Sequence, residues 1–316
     1  MAGEKAKVIP LHSDPARVAS RAKARATRTA TGSAEEIADV IREFETRRGG
    51  PVEPALGELA QRIAGAADFL RRRITGDYTV DEFGFDPQYN EAVVMPVLRF
   101  FHDTWFRAEV SGVENIPDTG AALIVANHAG TLPFDGAMLS VAVHDHHPRR
   151  RDVRLLAADM LFDMPVVGPM ARKAGHTLAC NVDANRLLAA GELTGVFPEG
   201  FKGIGKNFRD RYKLQRFGRG GFVSAALRTK APIIPCSIVG SEEIYPMLAD
   251  MKLLARVLGM PYFPITPLFP LAGPVGLVPL PSKWHIAFGA PIETAAFEDG
   301  AADDPMKAMQ DALKPK

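Results

Sequence analysis

The spacing of apolar positions changes character near residue 90. Before that point, Ile37, Val40, Ile41 and Phe44 recur at helical spacing behind Ser33 and Glu36, a capping-box pair that predicts a helix start. Leu56, Leu59, Ile63, Ala67 and Leu70 predict a second helix, closing on Arg71, Arg72 and Arg73, cations suited to a helix C-terminus. Those charges are expected to be solvated, with membrane contact as the alternative. Beyond residue 90, short apolar runs alternate with helical segments, which predicts the α/β class. The strand candidates are residues 121–126, 153–158, 176–180, 195–197, 233–239 and 285–289. The segments between them are long enough for helical crossovers, so the expected fold is a largely parallel sheet flanked by helices. The predicted organisation is a flexible basic tail over 1–32, a helical segment over 33–89 and an α/β domain over 90–316. The tail follows from low hydrophobicity with small polar and basic residues, a composition that does not offset the entropy of ordering.

Composition narrows the function classes. Hydrophobic residues make up 47% and charged residues 24% of the 316 residues, near the averages for globular proteins. With 38 basic against 37 acidic residues the net charge is +1, so no overall field recruits nucleic acid or an anionic membrane, and any basic site is local. Cys180 and Cys236 each lie in an apolar run, which predicts reduced core residues and a reducing, cytoplasmic setting. No apolar signal-peptide core is evident near the start, and no window reaches the roughly 18 apolar residues of a spanning helix. The longest apolar tract, Met260–Pro281, is interrupted by prolines.

The first strand candidate of the domain runs into Asn127-His128-Ala129-Gly130-Thr131-Leu132-Pro133-Phe134-Asp135. A later one runs into Pro198-Glu199-Gly200. Functional groups of open α/β sheets gather beyond the carboxyl ends of strands, so both motifs are expected to face one crevice. A neutral imidazole accepts a proton near physiological pH, and a carboxylate on its other nitrogen fixes the tautomer. His128 and Asp135 are candidates for that pair if the turn through Gly130 and Pro133 brings Asp135 back. The bland alternative is a turn histidine and a helix cap.

These residues resemble the glycerolipid, or lysophospholipid, acyltransferase superfamily, whose signatures include Asn-His near an Asp and a later Phe-Pro-Glu-Gly. The resemblance covers about residues 90–295 and includes Ile233-Ile234-Pro235-Cys236. It implies His128 as general base toward an acceptor hydroxyl, Asp135 as its orienting carboxylate, and Glu199 and Gly200 as acceptor-binding residues, with Asn127 and Gly130 lining the site. The implied reaction moves a fatty acyl group from acyl-coenzyme A, or an acyl-carrier protein, to a hydroxyl of a glycerolipid or lysophospholipid. Acyl-CoA enters as co-substrate, with no resident cofactor or metal, because a thioester carbonyl is already activated. Oxyanion donors are expected among backbone N–H groups around Gly130 or Gly200. The implied setting is peripheral, on the inner face of a membrane. Most members have four residues between His and Asp, whereas six stand here, and the Gly-x-Leu-Pro-aromatic-Asp form is similar to monoacylglycerol and diacylglycerol acyltransferase-like proteins. Asn181 occupies the position of a family Arg for an acceptor phosphate, with Lys173 and Arg186 as substitutes. The same dyad acting on water would give a thioesterase, and a non-catalytic lipid-binding protein is the third reading.

After Glu199 the chain carries Lys202, Lys206, Arg209, Arg211, Lys213, Arg216 and Arg219 with one acid, Asp210. Of these, Lys202, Lys206, Arg209 and Arg219 are the candidates for coenzyme A phosphates, an acceptor headgroup or anionic lipid; a solvated loop is the alternative. Residues 200–207 nearly spell a phosphate-binding loop, but Asn207 replaces the hydroxyl residue that would ligate magnesium. Residues 144–147, His-Asp-His-His, lack zinc-like spacing and predict a solvated helix end. Ile244, Met247, Leu248, Met251, Leu254 and Leu258 predict an apolar helical stripe, either packed in the core or dipping into a membrane interface.

Overall fold

The computed structural model describes residues 7–9, 54–218, 220–297 and 299–305. The expected helix after Ser33, Arg219 and all of the expected tail except Lys7–Ile9 lie outside the described residues. The chain divides into two units, residues 1–93 and 94–316.

In the first unit, Lys7–Ile9 (β1) pair in parallel with Thr79–Asp81 (β2). The Lys-Val-Ile triplet is the β-prone exception within the segment read as a tail. The helix Pro54–Thr75 (α1) ends where the basic cluster predicts. Arg73, however, is not a solvated charge. It pairs with the buried Asp86 and its guanidinium lies 4.1 Å from the ring centre of Tyr78 and 4.8 Å from that of Phe69. Arg71 and Arg72 each reach Asp68 at 2.7 Å, one turn back on the same helix.

The second unit is built on a seven-stranded sheet. Its strands in chain order are Glu109–Ser111 (β3), Ala122–Ala126 (β4), Arg154–Ala157 (β5), Thr177–Leu178 (β6), Leu193–Val196 (β7), Ile233–Val239 (β8) and, after a small antiparallel pair Ala249–Asp250 (β9) and Pro264–Ile265 (β10), His285–Phe288 (β11). The order across the sheet is β3-β11-β8-β4-β7-β5-β6. The pairs β8/β4, β4/β7, β7/β5 and β5/β6 are parallel, β11 is antiparallel to β8, and β3 is parallel to β11. β4 sits at the centre, and its apolar Ala-Leu-Ile-Val-Ala run suits a strand covered on both faces.

Helices Met95–Arg99 (α2), Phe134–His146 (α3), Asp159–Asp163 (α4), Val167–Lys173 (α5), Asn181–Ala189 (α6), Phe201–Ile204 (α7), Gly221–Thr229 (α8) and Lys252–Val257 (α9) connect the strands. The β4-to-β5 crossover through α3 and the β7-to-β8 crossover through α8 run in opposite directions across the sheet. Right-handed connections then put these two helices on opposite faces. In agreement, α3 is buried over most of its length and lies in the main core with Ile124, Ile234 and Trp284, while α8 packs on α6. Each such side chain contributes about 1.5–3 kcal/mol by leaving water, and Trp284 adds a stacked contact with Phe106, ring centres 4.6 Å apart.

Three expectations differ from the structure. Cys180 is exposed at the start of α6, where its sulfur accepts from the Asp183 amide, whereas Cys236 is buried in β8 as expected. His144 and His147 are buried rather than solvated, because α3 ends against the core. Residues 244–258 form no single apolar helix: β9 takes Ala249 and Asp250 into pairing with β10, and α9 begins only at Lys252.

Candidate active site

The site forms where β4 and β7 end side by side. Beyond Ala126, β4 has no further rung on β8, and the Asn127 side chain supplies one: its amide donates to the Ile238 carbonyl at 2.8 Å and accepts from the Ile238 amide at 2.7 Å. Asn127 thus extends the sheet with its side chain, and both of those contacts are to protein.

The turn that follows returns Asp135 to His128. Gly130 has φ +95°, and a Cβ there would lie 2.6 Å from the Ser241 carbonyl oxygen, so the turn requires glycine. Thr131 also takes positive φ, +62°, and is fixed from three sides. Its amide donates to the Ile204 carbonyl at 3.1 Å, its hydroxyl to the Tyr245 carbonyl at 3.3 Å, and its carbonyl accepts from the Tyr262 hydroxyl. Burial pushes the Tyr262 hydroxyl well above the ordinary tyrosine range, with the charges of Asp135 and Asp250 acting in the same direction, so it stays a neutral donor.

Asp135 is fully buried in the first turn of α3, where the helix dipole favours a carboxylate. Its Oδ2 takes the Ala129 amide at 2.9 Å and stands 2.6 Å from His128 Nδ1, and its Oδ1 takes the Gly136 amide at 2.8 Å. A carboxylate only accepts, so the proton of the neutral imidazole sits on Nδ1 and Nε2 keeps its lone pair. Nε2 has no hydrogen-bond partner among the described residues. The ring lies over Phe197, centroids 4.6 Å apart and planes 31° from parallel, which limits its rotation.

Glu199 is buried, and both its oxygens bind protein. Oε1 accepts from the amide of His128 at 2.8 Å, while Oε2 accepts from the amide of Gln215 at 2.6 Å and faces Lys206 Nζ at 3.6 Å. The carboxylate therefore ties three loops together and is not a free ligand in this state. Gly200 is exposed and its amide donates to the Phe197 carbonyl at 3.0 Å. Lys206 turns inward, to Glu199 and to the Lys213 carbonyl at 3.2 Å, which leaves the apparent phosphate loop without its lysine. Lys202 and Arg209 are exposed on the same connection.

Sequence reasoning missed Gly203, Phe197, Gln215, Thr131 and Tyr262. A Cβ on Gly203 would meet the His128 carbonyl oxygen at 2.5 Å and the His128 Cβ at 2.8 Å, so α7 rests directly on the histidine. The signal was present as the repeated glycine of residues 200–205, which local reading attaches to phosphate binding. Among the described residues no cluster of metal-ligating side chains occurs. The His-Asp-His-His segment is occupied otherwise: His144 Nδ1 lies 2.9 Å from Asp145, His147 Nε2 3.1 Å from the Ile116 carbonyl, and Arg99 grips Asp145 through two nitrogens at 2.7 and 2.8 Å. That guanidinium holds the Asp145 carboxyl well below the usual carboxylate range. Asn181 opens α6 with its side-chain oxygen close to Gly221, and Arg186 faces Asp183 on its own helix at 3.8 Å.

Residues 107–239, the block that carries His128, Asp135 and Glu199, match the family described as Acyltransferase. The chain is 66% identical to an uncharacterized protein of Mycobacterium tuberculosis, over 98% of this chain and 92% of that protein. It is 23% identical to a human protein named "DGAT1/2-independent enzyme synthesizing storage lipids", over 65% of this chain and 60% of that protein. Among solved structures it aligns with the 1-acyl-sn-glycerophosphate (LPA) acyltransferase PlsC from Thermotoga maritima, with a TM-score of 0.44 and 20% identity over 73% of this chain and 84% of that one. The match thus assigns the block of residues 107–239, which holds His128, Asp135 and Glu199, to the family described as Acyltransferase.

Proposed function

We propose that this acyltransferase moves a fatty acyl group from an acyl-CoA, or acyl-carrier-protein, thioester to a glycerolipid hydroxyl, with His128 as general base oriented by Asp135. The observation that carries the reading is the 2.6 Å contact between His128 Nδ1 and the buried Asp135, with Nε2 left free to take a proton. The acceptor hydroxyl gives its proton to Nε2 as its oxygen attacks the thioester carbonyl. The tetrahedral adduct then collapses, the carbon–sulfur bond breaks, and the departing sulfur takes the proton from the imidazolium, leaving an ester and a thiol. Asp135 stabilises the imidazolium in between. Gly130 is the preferred oxyanion donor of the two glycines, because the Gly200 amide already bonds Phe197.

A covalent acyl-cysteine is disfavoured. Burial, aided by the Asp135 charge, pushes the Cys236 thiol up to about 12, so the sulfur nearest the site stays protonated. Glu199 and Lys206 act by holding the loops, as Asn127 does, while exposed Lys202 and Arg209, with Arg219, supply cations for coenzyme A phosphates. Asn181 in place of an acceptor-phosphate arginine, and the storage-lipid name of the human relative, favour a neutral acylglycerol over a lysophosphatidate acceptor. The working site is at a membrane surface, because both acyl chains partition into lipid; no helix among the described residues is long and apolar enough to cross one.

The test is thiol release from long-chain acyl-CoA with glycerol-phosphate, lysophospholipid, monoacylglycerol and diacylglycerol acceptors, run with wild type and His128→Ala. We expect acceptor-dependent release that falls by roughly 10²–10⁴-fold in the variant, the contribution of a positioned base. Unchanged turnover in a folded His128→Ala would remove the mechanism, and release without acceptor would identify a thioesterase.

A further inference from the structure

The connection from β8 to β11 is the least polar stretch of the chain. From Ile244 to Pro281 the charged residues are Asp250, Lys252 and Arg256 alone, and between Val257 and Ser282 there are none. Such a sequence would ordinarily be buried, and its neck is. Ile244, Tyr245 and Met247 are buried, the Leu280 amide closes on the Ile244 carbonyl at 2.9 Å, and the Tyr245 hydroxyl donates to the Leu277 carbonyl. Beyond the neck the pattern reverses. Leu271 is 90% exposed, Leu253 76%, Val257 74%, Val275 66% and Leu248 61%. Apolar exposure this concentrated on an ordered segment marks an interaction surface.

Its location and charge identify the occupant. β8 ends at the carboxyl edge of the parallel strands, and antiparallel β11 starts at that same edge, so the whole excursion rises where His128 and Glu199 stand. Tyr262 bonds Thr131 in the His128 turn, and the Phe208 amide donates to the Met247 carbonyl at 2.8 Å, joining the excursion to the basic connection. Further exposed apolar side chains lie on the neighbouring exits, among them Val166 after β5, Val182 after β6 and Leu214 after β7. Around Leu214 and the excursion, Lys202, Arg209, Arg211, Lys213, Lys252 and Arg256 outnumber Asp210, Glu243 and Asp250, while the β5 and β6 exits near Val166 and Val182 also carry Asp159, Asp163 and Asp183. Apolar side chains set among cations complement a bilayer surface, where acyl chains lie beneath anionic headgroups.

We propose that this carboxyl-edge rim, with the residue 248–278 excursion as its main anchor, is the face that seats the enzyme on an anionic lipid surface. The choice of occupant rests on the acyltransferase reading, in which both acyl chains come from lipid; the geometry of the patch does not. The rim leaves the same strand edge as the His–Asp pair, so seating and substrate access use one face.

The experiment is co-sedimentation of the full-length protein with vesicles of phosphatidylcholine alone or mixed with phosphatidylglycerol, in the absence of any thioester. Wild type and His128→Ala are compared with the triple variant Leu253→Glu, Val257→Glu, Leu271→Glu, whose positions are exposed enough to leave the fold undisturbed, as circular dichroism would check. Wild type and His128→Ala should pellet equally and more strongly with phosphatidylglycerol, and the triple variant should bind about tenfold more weakly or worse. A single Leu271→Trp should keep binding and show a blue-shifted emission with vesicles. Vesicle binding by the triple variant equal to wild type overturns the proposal. So does a wild-type dimer that the triple variant converts to monomer in sedimentation velocity, since the patch would then cover a second copy. Because no acyl transfer is measured, failure of the chemistry and failure of the surface are read separately.

Discussion

The loop leaving β4 and the connection leaving β8 begin on adjacent strands and spend their residues in opposite ways. Residues 127–135 turn polar groups inward: Asn127 completes a rung on Ile238, Asp135 takes two backbone amides besides His128, and the His128 amide is held by Glu199. Residues 248–278 turn apolar groups outward, with Leu271, Leu253 and Val257 largely exposed. A buried polar network is costly when incomplete and so fixes one geometry, as the proposed base role of His128 requires. An apolar surface on a short tether demands no such register and suits a fluid partner. One loop is built to be exact in position, and its neighbour to be tolerant.

The sharpest test of that contrast strikes the polar side. In Asp135→Asn one carboxylate oxygen becomes an amide donor facing the Ala129 or Gly136 amide or the imidazole. We expect kcat to fall by about 10²–10³-fold with KM little changed, and stability to drop by about 1–3 kcal/mol from the mismatched donors. Steady-state kinetics and urea unfolding would show it, and near-normal kcat would mean that the pair does not orient the base. Next in size is Gly203→Ala, whose methyl enters the 2.5 Å approach to the His128 carbonyl oxygen. Displacement of the histidine predicts roughly a tenfold to hundredfold loss of kcat, with about 1–3 kcal/mol of overpacking visible in thermal melts. Equal kcat would show that α7 yields instead. The smallest effect belongs to Tyr262→Phe, where the two loops touch. Losing the donor to Thr131 should cost about 1 kcal/mol in denaturant unfolding and change turnover only slightly; a collapse of activity there would make the excursion part of the catalytic frame.

Much of this architecture is readable from the chain. Ile233–Val239 is a strand over the full predicted range, and residues 121–126 and 285–289 differ from β4 and β11 by one residue at an end, because buried strands are continuous apolar runs. β7 starts at Leu193 rather than Gly195, since Leu193 and Thr194 are buried while Phe197 leaves the strand to lie over His128. β3 is missed because Glu109-Val110-Ser111 is short, polar and at the sheet edge. His128 and Asp135 can be paired from their own stretch of sequence, and the structure brings them together. Gly203 and Tyr262 cannot, because their contacts cross 75 and 131 positions of chain and no local pattern records them. The helical stripe expected from Ile244 to Leu258 fails for the same reason: β10, which withdraws Ala249 and Asp250 from it, comes later in the chain. Arg73 likewise reads as surface charge until Asp86 and Tyr78 are seen around it.

The closed neck at Ile244 and Leu280 has a consequence for how this chain can vary. Because the excursion departs and returns at one point, its length is uncoupled from the register of β8 on β11. Lengthening a loop whose ends already meet costs little, about 0.6 kcal/mol of closure entropy for each doubling. Changes of length beyond the neck that keep Tyr262 on Thr131 can therefore be absorbed without moving a strand, so the segment can be tailored while the histidine turn stays the same.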